Sequence, residues 1–301
     1  MRIYRKLALG AALLAVAMVA AGCGSGGGKK AKGTVTIGVS GNFAENQLVA
    51  EMYAQVLEKA GFTVNRQLDL GAREVSDAAL FSGQIDIKPE YLGYELPKLD
   101  PNADTSGTPE EVYPRFVEAA KAKGITALAY SPANSTNVLV VTPETAQQYN
   151  LTKVSDLAAV AGQLVFGAPP DCSTNQACEA GLASVYGITF KEIKSLDFGG
   201  PQTVAALDSG AVQVGELFSL DPTITQKGWV ALEDDKSLQV AGNFVPMVRD
   251  QVVTDDLTTL INSVTAKLTT DGMLDLVGKV QIDKQDVATV AKDFLTSNGL
   301  L

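Results

Sequence analysis

The chain has 301 residues, 46% of them apolar, with 34 acidic side chains against 24 basic ones and a formal charge of −10. Histidine is absent, which removes Ser-His-Asp and Cys-His nucleophilic catalysis, imidazole acid–base chemistry and His-containing zinc sites. No run of Lys or Arg follows the N-terminal region, so nucleic acid is excluded as a partner on electrostatic grounds.

Arg2, Arg5 and Lys6 precede an unbroken small and apolar run from Leu7 to Ala20. The run is shorter than the roughly 20 apolar residues that span a bilayer, so residues 1–22 read as a signal peptide. Ala21, Gly22 and Cys23 close it. This stretch resembles the bacterial lipoprotein leader, which implies a mature N-terminus at Cys23 carrying a lipid anchor; ordinary signal cleavage is the alternative. Residues 23–33, rich in Gly, Ser and Lys, then serve as a flexible tether. Loss of the leader takes three cations with it and leaves a charge of −13. About 270 residues remain, enough for two domains.

From Thr34 onward short β-rich runs alternate with helical patterns, the mark of an α/β protein with a largely parallel sheet. TVTIGVS is a strand, and Asn46 to Ala60 repeats apolar residues at helical spacing until Gly61 stops it. VNRQLDL, VSDAALFS and IDIKPE continue as strand, helix and strand. At Thr108-Pro109-Glu110-Glu111 a capping threonine, a proline at N1 and a glutamate at N3 predict a helix start. Thr142-Pro143-Glu144 repeats the signal more weakly. Cys172 and Cys178 form an even pair in an exported chain and read as a disulfide around the Asp171–Gln176 loop; two free buried thiols or a two-cysteine metal site are the alternatives.

One internal echo sets the architecture. AALFSGQIDIKPEY (Ala78 to Tyr91) is matched by AALDSGAVQVGELF (Ala205 to Phe218), so that Tyr91 and Phe218 each fall eight residues after a turn glycine. Both then lie near the carboxyl end of a strand, where open α/β sheets bind ligands. One copy in each half implies two similarly built lobes; chance similarity between two αβ units is the alternative.

GNFAENQ, EMYAQVLEKAGFTV, LDLGAREV, GQIDIKPEYLG, PANSTNVLVV, LVFGAPP, VALEDDK, VPMVRDQV and VAKDFLTSNGLL occur in this order. Together they resemble the substrate-binding proteins of ABC importers for glycine betaine, carnitine and choline. The resemblance implies a two-lobed periplasmic-binding-protein fold of type II with two interlobe crossovers. Residues 34–133 plus 245–301 would form one lobe and 134–244 the other. It also implies an extracytoplasmic, lipid-anchored monomer that takes up an osmoprotectant, delivers it to an ABC permease in the membrane, and needs neither cofactor nor catalytic group.

That family holds a trimethylammonium head among tyrosines, because π faces attract a weakly hydrated cation. Carried over by position, Tyr91 retains one cage tyrosine, Phe218 replaces a second, Asn137 a third, and the last falls at Gly242 or Asn243. Tyr94 stands where the family has a threonine that helps hold the ligand carboxylate, and Gly41 where a lysine sometimes occurs. At most two cage aromatics of four are expected on this count.

The candidate ligand-binding residues are Phe43, Asn46, Arg73, Tyr91, Tyr94, Asn137, Asp171, Phe218 and Asn243. Their amides and hydroxyls also suit an uncharged polyol, sugar or phenolic ligand. The plainer readings are core packing for Phe43 and Phe218, a surface position on the first helical turn for Asn46, and pairing of Arg73 with Glu74 or Asp77. A ligand sensor of the same fold, and a lipoprotein enzyme using Glu90 with Asp171 or Glu216 with Asp221 in glycosidase fashion, are the competing functions.

Overall fold

The computed structural model describes residues 32–41 and 43–301. The signal peptide and Cys23 lie outside these residues, as does the tether up to residue 31. The last tether residues are already docked: Lys32 donates its N–H to the Gly61 carbonyl at 3.1 Å and its Nζ lies 2.6 Å from Asp256.

Ten strands form two five-stranded sheets. The first part of the chain runs β1 (Thr34–Gly38), α1 (Ala44–Ala60), β2 (Thr63–Gln67), α2 (Arg73–Ser82), β3 (Ile87–Tyr91), α3 (Leu92–Leu99), α4 (Pro109–Lys121) and β4 (Ile125–Ala127). It continues with β5 (Asn137–Val141), α5 (Pro143–Tyr149), β6 (Val165–Ala168), the short α6 (Glu179–Gly181), β7 (Glu192–Ser195), α7 (Pro201–Asp208), β8 (Val214–Phe218), α8 (Pro222–Gln226) and β9 (Val230–Ala231). It ends with β10 (Phe244–Arg249), α9 (Asp255–Thr265), α10 (Thr270–Gln281) and α11 (Val287–Ser297).

The first sheet has the order β2-β1-β3-β10-β4 and the second β7-β6-β8-β5-β9. In each, the three strands on one side are mutually parallel, and the fourth, β10 or β5, is antiparallel to both of its neighbours. The internal echo is thereby explained, since β3 and β8 are the middle strands of equivalent sheets. Their turn glycines, Gly83 and Gly210, have φ of +82° and +69°, a left-handed conformation that disfavours a side chain.

The chain passes between the sheets twice, after β4 and again before β10, and the passages run side by side. Asn134 bridges Asn243 in antiparallel fashion, and Ser135 donates its N–H to the Gly242 carbonyl at 2.9 Å. A Cβ on Gly242 would stand 1.9 Å from the Ser135 carbonyl oxygen. No side chain fits there without a backbone shift.

The main core lies where α1 packs between β1, β3 and the helices α9, α10 and α11. Tyr53 on α1 is fully buried and shares a 2.8 Å hydrogen bond with Thr265. The helix starts at Ala44, two residues before the periodicity predicts, and stops at Gly61 with φ +102°. Thr142 Oγ1 accepts the Thr145 N–H, and Glu111 accepts the Thr108 N–H at 2.9 Å, so both predicted helix starts are present.

Candidate functional site

β3 is buried along its whole length although it reads IKPEY. Strand alternation puts Ile87, Pro89 and Tyr91 on one face and Lys88 and Glu90 on the other. The charged face meets α2 and α3. Lys88 is fully buried; its Nζ pairs with Asp77 and lies 2.9 Å from Glu90. Glu90 also accepts the Tyr91 N–H at 3.0 Å and the Arg73 Nε–H at 3.2 Å. Glu95 Oε2 lies 3.8 Å from Arg73 Nε, and neither of its oxygens has a hydrogen-bond partner.

These five groups divide by protonation. Burial raises the Glu90 carboxyl, but the Arg73 and Lys88 charges outweigh it and hold the group well below the usual carboxylate range. Glu95 is pushed far up by burial and then by the Glu90 charge, so it is kept as the neutral acid. Burial opposes the charge on Arg73, yet Glu90 and Glu95 raise its pKa. The residue pairs with Glu90, with the neutral Glu95 alongside at 3.8 Å, and not with the Glu74 or Asp77 of the plainer sequence reading.

The other face of β3 delivers Tyr91 into a group of aromatic rings. Phe43 lies 6.5 Å from Tyr91 at 87°, Tyr94 lies 6.4 Å from Tyr91 at 87°, and Phe218 lies 5.1 Å from Phe43 at 89°. Phe218, Phe43, Tyr91 and Tyr94 thus follow one another with each plane perpendicular to the next. Phe218 comes from the second sheet and the other three from elements of the first. The guanidinium of Arg73 sits 5.9 Å from the Tyr91 centroid.

Polar groups fix the rings. Tyr91 donates its hydroxyl to Glu45 Oε1 at 3.1 Å, and burial raises the Glu45 carboxyl pKa. Tyr94 donates to Gln239 Oε1 at 3.2 Å and accepts the Asn137 N–H at 3.1 Å. The helix starts here lack side-chain caps. Phe43, Ala72 and Tyr91 hold the N-cap positions of α1, α2 and α3 with no side-chain cap, whereas Thr142, Asp221, Thr254, Thr269 and Asp286 cap other helices with their side chains. At α3 backbone carbonyls take the place of a cap, since the Leu92 and Gly93 N–H groups donate to the Asn243 and Ala241 carbonyls at 2.9 and 2.7 Å; the positive dipole ends remain.

Five of the nine predicted residues therefore meet: Phe43, Arg73, Tyr91, Tyr94 and Phe218. Asn137 joins through its backbone. Asn46 is 1% exposed, not the surface residue of the plainer reading, and its Oδ1 lacks a partner. Asn243 donates to the Ser131 carbonyl at 3.0 Å. Asn137 and Asn243 line a separate cleft of about 810 Å³ between the 104–109 loop and the 231–241 segment. Asp171 is exposed, and its charge acts on Glu216 instead.

Cys172 and Cys178 approach to an S–S distance of 1.95 Å. Glu216 Oε2 lies 2.8 Å from Cys178 Sγ. Burial, and then the Asp171 charge, push the Glu216 pKa up to about 8, so the carboxyl carries the proton at that contact. Glu45, Lys88, Glu95 and Gln239 had no sequence signal beyond Glu45 standing two residues after Phe43.

Residues 33–297 match the family described as the substrate binding domain of ABC-type glycine betaine transport systems. The chain belongs to this family. A glycine-betaine-binding protein of Pseudomonas aeruginosa is 28% identical over 275 residues, which cover 86% of each chain. The carnitine transport binding protein OpuCC of Listeria monocytogenes is 26% identical over 284 residues, covering 90% of this chain and 89% of that one. A crystal structure of a glycine betaine/carnitine/choline ABC transporter shares the fold with a TM-score of 0.75 at 24% identity, covering 89% of this chain and 98% of the other. The fold is thus that of the two-lobed periplasmic binding proteins, and the family member is an extracytoplasmic substrate-binding component of an importer. Among the described residues no helix is long and apolar enough to cross a membrane.

Proposed function

We propose that the protein captures a small trimethylammonium compound of the glycine betaine, carnitine and choline class between Phe43, Tyr91, Tyr94 and Phe218 and presents it to an ABC permease. The observation that carries this reading is the succession of four rings, each perpendicular to the next. A cation within about 6 Å of a ring centroid is attracted by the π face, by roughly 0.5–2 kcal/mol per ring. Counting rings at the family's own positions overlooks Phe43 and Tyr94, which bring the number back to four.

Closure would proceed by population shift. Residues 34–133 plus 245–301 form one moving body and 134–244 the other, and a ligand touching both Tyr91 and Phe218 stabilises the closed state by its differential affinity. The exported protein is a monomer anchored by lipid at Cys23, and Cys172–Cys178 is a disulfide in the mature form. Of the carboxylates in the glycosidase reading, Glu90 is engaged by Arg73, Lys88 and the Tyr91 N–H, which disfavours the pair of Glu90 with Asp171.

Calorimetric titration of the purified protein with glycine betaine, carnitine, choline and a polyol of similar size tests the proposal. A trimethylammonium compound is expected to bind at least about tenfold tighter than the polyol, the equivalent of one to two cation–π contacts. Binding of the polyol alone would show that the fold carries a different cargo.

A further inference from the structure

We infer that Gln239 is a positioning residue: together with the Tyr94 hydroxyl it latches the second lobe to the first turn of α3 and holds the two lobes together before a ligand bridges them. The inference rests on the reading of residues 34–133 plus 245–301 and 134–244 as two moving bodies, and not on what the rings bind.

The first turn of α3 is joined to the returning crossover in three successive steps. Leu92 donates its N–H to the Asn243 carbonyl at 2.9 Å, Gly93 donates to the Ala241 carbonyl at 2.7 Å, and Tyr94 donates its hydroxyl to Gln239 Oε1 at 3.2 Å. The first two are backbone bonds beside the crossover itself. The third is a side-chain bond and reaches further into the second lobe. The same phenol oxygen accepts the Asn137 N–H at 3.1 Å, where β5 of the second sheet begins. One oxygen of the first lobe is thus bonded to two segments of the second. Burial raises the Tyr94 pKa, so the hydroxyl keeps the proton that it donates.

Gln239 is held from the other side. Its Nε2 donates to the Ala177 carbonyl at 2.8 Å, and its own N–H donates to Asp234 Oδ2 at 2.7 Å. Asp234 also accepts the Leu238 N–H at 3.0 Å and the Tyr186 hydroxyl. Both ends of the amide are engaged, so its acceptor faces Tyr94 and cannot change places with the donor without breaking the bond to Ala177. Ala177 adjoins Cys178, and the 172–178 loop therefore backs the latch.

The consequence for binding follows from where these bonds lie. A bond between the lobes that no ligand supplies adds the same free energy to the closed state whatever the cargo. It raises the closed fraction, and with it the apparent affinity for every ligand alike. A phenol hydroxyl bonds from the rim of its ring, so the latch and the π face of Tyr94 do not compete for the same atoms.

The test is small-angle scattering and calorimetric titration of the purified protein, Tyr94→Phe, Gln239→Leu and the double variant. Without ligand, each single variant is expected to have a larger radius of gyration than the unsubstituted protein. The double variant should match Tyr94→Phe, because the phenylalanine alone removes both bonds of the hydroxyl. Titration with glycine betaine and with choline should show an affinity loss of about fivefold in each variant, the worth of one net hydrogen bond, by the same factor for both ligands. Unchanged dimensions of ligand-free Tyr94→Phe overturn the latch, even if the leucine variant fails to fold. So does a loss confined to one ligand, which would make the hydroxyl a ligand contact. An unsubstituted protein whose radius does not fall on saturation with ligand overturns the reading of two moving bodies, and the latch with it. An unsubstituted protein that binds neither ligand overturns the cage reading, while the ligand-free comparison still decides the latch.

Discussion

The hydroxyl of Tyr91 donates to Glu45 Oε1 at 3.1 Å, joining the end of β3 to the first turn of α1 with both side chains buried. The ring also packs on Phe244 at 5.0 Å, so the proposed cage wall is also a core residue. Tyr91→Leu, which keeps most of the volume but no π face, is expected to weaken trimethylammonium binding at least about tenfold. It is also expected to lower the melting temperature, because the Glu45 carboxyl loses its partner. Calorimetry on the folded fraction separates the two effects, and unchanged affinity would remove Tyr91 from the site.

Phe43 and Phe218 meet edge to face from opposite sheets at 5.1 Å. Phe43→Leu and Phe218→Leu should each reduce the affinity by about 0.5–2 kcal/mol. The double variant should lose less than the sum, since each residue orients the other. A double-mutant cycle on ligand affinity reads the coupling directly, and strict additivity would mean that the rings act separately.

Lys88 is fully buried between Asp77 and Glu90. Lys88→Met leaves Asp77 without its cation and Glu90 with Arg73 alone, and breaking a buried pair on one side costs about 3–5 kcal/mol. Urea unfolding is expected to show that loss. Adding Glu90→Gln and Asp77→Asn should restore part of it, because the uncompensated charges go with the lysine.

Glu216 gives a pH signature of definite sign. Its folded pKa of about 8 lies above the unfolded value near 4.5, so between those values the unfolded chain has released a proton that the native state retains. Its contribution is therefore intact below pH 4.5 and lost as pH rises to about 8, by about 1.4 kcal/mol per pH unit. Glu216→Gln should flatten that part of the stability profile relative to the unsubstituted protein. Parallel profiles would show that the carboxyl is ionised in the native state.

The Cys172–Cys178 link closes a loop of seven residues. Reduction, or Cys178→Ser, should destabilise by about 2 kcal/mol on the chain-entropy account. Mass spectrometry of the untreated protein finding two free thiols would dismiss the link.

The parts of the fold legible in the sequence were those encoded locally. Turn glycines and period-two alternation at Ala78–Tyr91 and Ala205–Phe218 mark β3 and β8 without knowledge of anything distant, and the structure makes them the middle strands of two like sheets. The site was legible only in part, for a physical reason. Lys88 and Glu90 read as the polar face of a strand, and only folding brings Asp77, Arg73 and Glu95 over them. Phe43 and Tyr94 meet Tyr91 because the N-termini of α1 and α3 converge, a relation between segments that spacing along one chain does not carry. Nothing local in the sequence shows that a Cβ on Gly242 would collide with the Ser135 carbonyl across the two passages between the sheets.

Ala72 occupies an N-cap position where serine, threonine or aspartate would contribute about 1 kcal/mol, whereas Phe43 and Tyr91 hold theirs with packed rings whose removal costs more than a cap returns. Thermal selection of variants of this protein, run without cargo in the medium, should therefore drift toward Ala72 before the other two. Such a selection is blind to uptake, and a library intended for biosensors must be sorted on uptake and heat together.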